Sequence, residues 1–335
     1  MMVRTLFLAA ALTFPALPVL AQQDLAGVLA AAEAIEPLET VIVSVDGAVV
    51  AERGYHGHSV DDPTNIKSAS KTIISALVGI AIERGLLEGV DQPIAEILAD
   101  DLPEDADPRL AEITIGNLLS MQAGLEPTSG PNYGRWVASG NWVRSALAQP
   151  FVDDPGGRML YSTGSSHLLS AILTKVSGES TRDIAHEWFA EVDDFAIADW
   201  ERDPQGIYLG GNQMAMSPRA LLAFGEVYRM GGVAPDGTRV VPEDWIAQSW
   251  MVRTHSRFNN DGYGYGWFIR QLADEDIRFA WGFGGQMLYI VPSLDLSVVM
   301  TSDESAPSAG NGHRDALHGV LEEIIGVVRE EKVGS

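Results

Sequence analysis

The chain has 335 residues, of which 46% are hydrophobic, and its formal net charge is −24. That length and apolar content predict a globular protein with a sizeable core. The strong negative charge argues against nucleic acid and anionic membrane surfaces as partners. The chain has no cysteine, which excludes disulfides, thiolate metal sites and a cysteine nucleophile.

Residues 1–21 have the pattern of a secretory signal peptide. Arg4 supplies a positive charge, an apolar stretch follows it, and residues 19–21 offer a cleavage site. Pro15 and Pro18 interrupt the stretch, which favours a cleaved signal over the alternative of a transmembrane anchor. We therefore expect a periplasmic or secreted protein that keeps no stable membrane span.

The first predicted elements after the signal are a helix, a hairpin and a second helix. The first helix covers 24–35, with Asp24 as its N-cap. Strands at 41–45 and 48–51 flank Asp46-Gly47, which supplies the positive φ angles of a tight two-residue turn. The second helix, 68–84, is apolar on nearly all faces, as is typical of a buried helix.

Helical periodicity continues through the middle of the chain, and strand-like segments follow it. Helices are predicted at 113–121, 142–148, 167–176, 218–230, 242–251 and 314–329, and strands at 265–272, 278–281, 286–291 and 294–301. Strands at both ends predict an α/β (α+β) fold, in which helices flank an antiparallel sheet and an all-helical lobe is inserted. The α/β lobe would comprise 22–85 and 206–335, and the helical lobe 86–205, with a small-molecule site in the cleft between them.

The chemistry-bearing motif is Ser68-Ala69-Ser70-Lys71, an S-x-x-K pattern at the start of the buried helix. Residues three apart on a helix face the same side, with Cβ atoms about 5–6 Å apart. Burial and the positive end of the helix dipole would both favour a neutral Lys71 amine, which could accept the Ser68 proton. The alternative interpretation is an N-cap serine followed by a surface lysine.

Three further segments resemble motifs of class C β-lactamase-like proteins, within the serine β-lactamase/penicillin-binding superfamily. Residues 113–125 resemble the ITIRHLLTHTSGL segment of that group, and 161–163 after Pro155-Gly156 resemble its Y-x-N motif. Residues 281–286 look like its third motif. The resemblance spans nearly all of the mature chain and is closest to the 6-aminohexanoate-dimer hydrolase and family VIII carboxylesterase branch.

The resemblance implies a role for each matching residue. Ser68 would attack the acyl carbon, and Lys71 and Tyr161 would share the proton transfers as general base and acid. The backbone N–H groups of Ser68 and Gln286 would form the oxyanion hole. The remaining matching residues that would contact substrate are Thr163, Phe283, Gly284, Gly285 and Trp281. Apart from the resemblance, Tyr133 is a candidate contact because the Gly/Pro-rich loop 129–134 could form a lid over the pocket; the alternative is a solvent-exposed loop. No cofactor and no metal ion is expected.

Two departures from the family pattern narrow the expected substrate. Thr163 stands where the family usually has Asn, so recognition of a substrate amide would differ. No lysine occurs in the third motif, where the family uses one to hold a β-lactam carboxylate; Arg270 or Arg278 could substitute for it. We therefore predict a serine hydrolase for small ester or amide substrates.

Other functions stay open beside this one. They are β-lactamase, DD-peptidase or D-aminopeptidase activity, and a non-catalytic penicillin-binding-like protein on the same fold. His56-Gly57-His58 has no evident third ligand for a metal ion, and His167 and His318 are expected to be structural. No G-x-S-x-G motif is present, so an α/β-hydrolase nucleophile elbow is excluded. The oligomeric state is not predicted.

Overall fold

The computed structural model describes residues 19–257 and 259–334. The predicted signal peptide lies outside these residues except for positions 19–21, which begin the first helix. Within the described ranges, no helix is long and apolar enough to cross a membrane. The helices are α1 Val19–Ala31, α2 Lys71–Glu83, α3 Ile115–Leu119, α4 Tyr133–Val137, α5 Trp142–Leu147, α6 Thr163–Ser177, α7 Thr181–Trp188, α8 Pro218–Arg229, α9 Glu243–Ser249 and α10 His313–Gly334.

The strands form two antiparallel sheets. They are β1 Leu38–Val45, β2 Ala48–Gly54, β3 Thr64–Asn65, β4 Asp199–Trp200, β5 Met214–Met216, β6 Thr254–His255, β7 Gly262–Tyr263, β8 Phe268–Leu272, β9 Glu275–Gly282, β10 Gln286–Val291 and β11 Leu296–Ser302. The large sheet has the order β2-β1-β11-β10-β9-β8-β7-β6, and the small one β3-β5-β4. The N-terminal hairpin therefore joins the C-terminal meander through β1 and β11, which confirms the predicted antiparallel sheet built from both ends.

The predicted hairpin turn is confirmed at Asp46 and Gly47. Their φ angles are +52° and +83°, as a two-residue turn with both central residues left-handed requires. The first helix differs from its prediction, because α1 begins at Val19. Asp24 therefore lies inside the helix and is not its N-cap.

Helices cover both faces of the large sheet. Leu25 of α1 and Leu321 of α10 belong to one apolar cluster with the outward face of β10 and β11. Leu222 of α8 packs in a second cluster with Leu288 of β10 on the other face. That second cluster continues into α2 and the helices of the predicted helical segment, so the sheet and the helical part share one core. The division of the chain into two lobes stays a prediction.

The buried helix α2 is at the centre of that second cluster. Every residue from Lys71 to Ala81 is buried, which confirms the interpretation of an apolar central helix. Gly79 faces the indole of Trp245 on α9, and a Cβ built there would lie 2.3 Å from the indole Cγ. The two helices can approach this closely only because position 79 has no side chain.

We expect Gly79→Ala to destabilise the fold by about 1–3 kcal/mol, since overpacking a tight contact forces the neighbouring elements apart. Gly319→Ala is the matched control, because Gly319 lies inside α10 and a Cβ there meets nothing within 4 Å. That change should stabilise by up to about 1 kcal/mol through helix propensity. Urea unfolding of both variants measures the two effects, and equal free energies of unfolding would contradict the proposed contact.

Candidate active site

Ser68 lies in a short turn that precedes α2. The turn, Lys67–Ser70, is a 3₁₀ helix, and α2 begins only at Lys71. Lys67 has a φ of +50°, which for a residue with a side chain costs about 1–2 kcal/mol. The Lys67 N–H donates to Asn65 Oδ1 at 3.0 Å, and Ser70 Oγ donates to the Lys67 carbonyl at 2.7 Å. These contacts fix the backbone at Ser68, whose side chain stays partly exposed.

Lys71 is buried and its amine contacts three oxygen atoms. Its Nζ lies 3.1 Å from Ser68 Oγ, 3.4 Å from Thr163 Oγ1 and 2.6 Å from the carbonyl oxygen of Gly211. Burial lowers the pKa of Lys71 from 10.5 to about 7. A large fraction of the amine is therefore neutral near pH 7, as the sequence predicted from the apolar residues that follow it.

The three contacts also decide how a neutral amine is oriented. A neutral amine has two N–H bonds and one lone pair, and a carbonyl oxygen can only accept. If the N–H bonds point to Gly211 and Thr163, the lone pair points to Ser68 Oγ. This is the orientation in which Lys71 can accept the hydroxyl proton.

Tyr161 lies on the other side of the same amine. Lys71 Nζ lies 5.1 Å from the centre of the Tyr161 ring. Burial raises the pKa of Tyr161 to about 12, although a hydrogen bond with Ser68 opposes that increase. Phe268 stacks on the ring at 6.2 Å and Tyr263 meets it edge-on at 6.1 Å. The phenol is thus held beside Ser68 and is protonated at neutral pH.

Thr163 connects this group to the loop before α4. Its hydroxyl lies 3.0 Å from Ser129 Oγ, and its N–H donates to the same Ser129 oxygen at 2.8 Å. Tyr133 is the first residue of α4, after that loop. Burial, together with the charge of Glu201, raises the pKa of Tyr133 to about 12, and a hydrogen bond with Asn212 opposes the increase. Since Asn212 follows Gly211, Tyr133 lies near the residues around Lys71, and its contact with substrate stays a prediction.

The third-motif residues form the end of β9 and the turn that follows it. A Cβ on Gly282 would lie 2.3 Å from the Ile66 carbonyl oxygen, so β9 runs directly against the turn that carries Ser68. Gly284 and Gly285 have φ angles of +88° and +109°, and the side chain of Phe283 is 49% exposed. Of the predicted substrate contacts in this segment, Phe283 is thus exposed, whereas Gly284 and Gly285 are buried and face Asp303 and His313.

Gln286 and Trp281 differ in their surroundings. Gln286 is paired with Gly282 in the β9–β10 ladder, and its buried Nε2 donates to the Ser302 carbonyl at 2.5 Å. Its side chain is thus part of the sheet interior. Trp281 donates from Nε1 to Ser308 Oγ at 3.0 Å, and the Arg314 guanidinium lies 4.9 Å from the centre of its ring.

The cations near the third motif are paired with acidic residues. Lys67 Nζ lies 2.6 Å from Glu304 Oε2. Arg270 lies 3.5 Å from Asp261, and Arg278 lies 4.0 Å from Asp276. The two arginines considered as substitutes for the missing lysine therefore have carboxylate partners of their own.

No group of three or more acidic or histidine residues in the described ranges could hold a metal ion. The H-x-H pair of His56 and His58 is one example. His58 Nε2 lies 3.6 Å from Glu39 Oε1, and His56 has a left-handed φ of +55° in a surface turn. The two histidines do not lie on one strand, because β2 ends at Gly54.

Comparison with known proteins identifies the family. The sequence model of the family described as Beta-lactamase matches residues 20–321. The chain belongs to the Beta-lactamase family. Its members are hydrolytic proteins, and the match includes Ser68, Lys71, Tyr161 and the third motif.

Among curated proteins, two named as fimbrial assembly protein FimD of Dichelobacter nodosus match part of the chain. The serogroup H1 protein is 32% identical over 145 residues, which are 41% of this chain and 36% of that protein. The serogroup D protein is 33% identical over 147 residues. The match spans little more than a third of the length of these relatives.

Several solved structures share the fold. A Bacillus anthracis protein assigned by name as a 6-aminohexanoate-dimer hydrolase has a TM-score of 0.74 at 17% identity and covers 91% of this chain and 82% of its own. EstCE1, a hydrolase with promiscuous acyltransferase activity, has a TM-score of 0.72 at 19% identity, covering 92% and 99%. A class C β-lactamase from Rhodobacter sphaeroides has a TM-score of 0.69 at 18% identity, with the same coverage. These likenesses confirm the predicted fold.

The sequence did not indicate three residues whose contacts in the structure are, in turn, with Lys71, Thr163 and Tyr133. They are Gly211, Ser129 and Asn212. Gly211 contributes only its backbone, and a Cβ there would lie 2.4 Å from Lys71 Cγ. The one signal in the sequence was the adjacent pair Gly210-Gly211, which resembles many ordinary turns.

We expect Gly211→Ala to displace Lys71 and to reduce covalent labelling of Ser68 by a fluorophosphonate at least about 10²-fold, as a misplaced catalytic group typically does. Gly206→Ala is the control: Gly206 has a φ of +87°, close to the +80° of Gly211, but a Cβ there meets nothing within 4 Å. Both positions have a similar left-handed φ, so equal labelling rates would contradict the packing argument.

Proposed function

We propose that this protein is a serine hydrolase that cleaves ester or amide bonds of small molecules through an acyl-enzyme on Ser68. The observation that carries the proposal is the 3.1 Å contact between Lys71 Nζ and Ser68 Oγ. It joins a partly exposed hydroxyl to a buried amine whose pKa is lowered to about 7. A base with a pKa near the operating pH is the most effective general base.

The pKa values support Lys71 as the base and Tyr161 as the acid. Lys71 accepts the Ser68 proton while Ser68 Oγ bonds to the acyl carbon, and the carbonyl electrons move to its oxygen. When the tetrahedral intermediate collapses, the leaving oxygen or nitrogen takes a proton from Tyr161, which Lys71 then restores. Water repeats the same sequence on the acyl-enzyme and releases the acid. A phenol with a pKa of about 12 is a poor base at neutral pH, so it does not start the reaction.

The oxyanion of the tetrahedral intermediate needs two N–H donors. Ser68 N–H is the first, as the sequence predicted. For the second, we propose Phe283 in place of Gln286. Gly282 is the residue packed against the Ser68 turn, and Phe283 follows it directly, whereas the side chain of Gln286 anchors it to Ser302 inside the sheet. One such donor is typically worth about 2.7–4 kcal/mol to the transition state.

The charges around the site favour substrates without a carboxylate. The third motif has no lysine, and Lys67 is neutralised by Glu304 at 2.6 Å. A β-lactam carboxylate would therefore meet no unpaired lysine at this edge. The name of EstCE1, a hydrolase with promiscuous acyltransferase activity, agrees with a reaction that transfers an acyl group. A periplasmic or secreted location, reached by cleavage of residues 1–21, completes the proposal.

The first test is covalent labelling. Wild type should react with a fluorophosphonate and hydrolyse p-nitrophenyl butyrate, whereas Ser68→Ala should lose both, by roughly 10³-fold or more in rate. Ser177→Ala is the control, because Ser177 Oγ bonds only the backbone of Glu179 in the turn after α6. Equal labelling of wild type and Ser68→Ala would favour the non-catalytic alternative. Faster turnover of nitrocefin than of the ester would favour the β-lactamase alternative.

The second test is the pH dependence of ester hydrolysis. Below a pH of about 7, Lys71 is protonated and cannot accept the Ser68 proton. We therefore expect kcat/KM to rise about tenfold per pH unit in the acidic range and to level off above the pKa of Lys71. Lys71→Ala should remove this limb and lower the plateau by several orders of magnitude. A wild-type limb centred near pH 10 would instead assign the base to an unperturbed lysine or to the phenol.

A further inference from the structure

A buried histidine–carboxylate pair lies behind the Lys71 site. His167 Nε2 lies 3.0 Å from Asp203 Oδ2, and both side chains are fully buried. The indoles of Trp136 and Trp142 meet the imidazole edge-on at 5.6 and 5.7 Å. Asp203 is the charged group that faces the ring, and the two tryptophans close its other sides. The pair is therefore shielded from solvent and from substrate.

The hydrogen bonds define which ring nitrogen carries the proton. The Gly210 N–H donates to His167 Nδ1 at 3.3 Å, so Nδ1 accepts and Nε2 donates to Asp203. The other Asp203 oxygen accepts from the N–H groups of Gln205 at 2.8 Å and Ile207 at 2.9 Å. The pair thus links α6 to the turn that leads into Gly210.

Both polar groups of Gly210 are held by α6. Ser166 Oγ donates to the Gly210 carbonyl at 2.9 Å, while the next residue, His167, accepts from its N–H. A Cβ on Gly210 would lie 2.1 Å from the Ser166 carbonyl oxygen, so the segment lies directly against the helix. The carbonyl that follows, that of Gly211, is the one in contact with Lys71 Nζ at 2.6 Å.

We propose that His167 and Asp203 are positioning residues, which hold Gly210-Gly211 so that the Gly211 carbonyl orients the amine of Lys71. The proposal rests on the proposed role of Lys71 as the base. A carbonyl oxygen accepts more strongly from an ammonium than from an amine, so this contact favours the protonated form. Without the Gly211 contact, the pKa of Lys71 would fall further, and its lone pair would no longer be held toward Ser68 Oγ.

Two substitutions at His167 separate its two contacts. His167→Gln places a donor near Asp203 but no acceptor near Gly210. His167→Asn places its Oδ1 where Nδ1 was, and so keeps an acceptor for the Gly210 N–H. Asp203→Asn tests the same Gly210 contact from the carboxylate side. Its amide would donate to Nε2, and the ring proton would then move to Nδ1. Nδ1 could no longer accept from the Gly210 N–H. His186→Gln, on the exposed face of α7, is the surface control.

The readout is the titration of Lys71 itself. The chain has four lysines, Lys67, Lys71, Lys175 and Lys332, so lysine labelled with ¹³C at Cε gives a spectrum of four signals. The Lys71→Arg variant assigns the signal of interest. The other groups that face this amine are Ser68, Thr163 and the Tyr161 phenol, and all of them are retained in every variant.

We expect His167→Gln and Asp203→Asn to lower the Lys71 midpoint by about one pH unit, the size of one lost hydrogen bond to a charged group. Ester hydrolysis should fall about tenfold or more, with its acid limb displaced by the same amount. His167→Asn should keep the Lys71 midpoint near that of wild type, even if it lowers Tm as much as His167→Gln does. A merely structural role would lower Tm and leave the midpoint unchanged.

An unchanged Lys71 midpoint in both His167→Gln and Asp203→Asn would overturn the proposal. So would a midpoint that moves equally in His167→Asn and His167→Gln. Because the titration does not require turnover, these outcomes are distinct from failure of the proposed function, which Ser68→Ala labelling detects. If His167→Gln does not fold, the comparison of His167→Asn with Asp203→Asn gives the same decision.

Discussion

The burial of one lysine amine is the interaction on which the site depends. Lys71 is 3% exposed, and its burial moves its pKa from 10.5 to about 7. That burial requires α2 to lie at the centre of the core, with Thr163 of α6 and Gly211 closing around the Nζ atom. The sheet contributes by placing Gly282 against the turn that carries Ser68. The same packing that stabilises the fold therefore sets the chemistry of the site.

The elements that the sequence predicted well have local causes. The Asp46-Gly47 turn follows from the φ angles that this dipeptide adopts readily, and the buried helix α2 follows from an apolar run with no polar face. The sequence also predicted that Ser68, Lys71 and Tyr161 lie together, because their order and spacing match the family pattern. The sequence predicted that strands from the two ends of the chain share one sheet, but not the order of the strands in it. The pairing of β1 with β11 joins residues about 260 positions apart.

The parts that the sequence could not predict depend on backbone geometry and on distant contacts. Ser68 belongs to a 3₁₀ turn, not to α2, because Lys67 takes a left-handed conformation that no residue preference indicates. Gly211 reaches Lys71 across 140 positions through a carbonyl, and a backbone atom leaves no side-chain pattern. The oxyanion role of Gln286 stays a prediction from its place in a motif, whereas the proposal of Phe283 rests on a backbone contact, that of Gly282 with the turn that carries Ser68.

A buried neutral lysine also links the stability of the protein to pH. Between a pH of about 7 and 10.5 the unfolded chain binds a proton at Lys71 that the folded chain does not. The free energy of unfolding therefore rises with pH through this window, and the contribution is most unfavourable below it. Each unit of the shift corresponds to about 1.4 kcal/mol, which over this interval is comparable to the total stability of many domains, about 5–15 kcal/mol. The contact with the Gly211 carbonyl offsets part of this, because it stabilises whatever fraction of the amine stays protonated. The burial that makes the Lys71 amine available near neutral pH therefore lowers the stability of the fold that holds it.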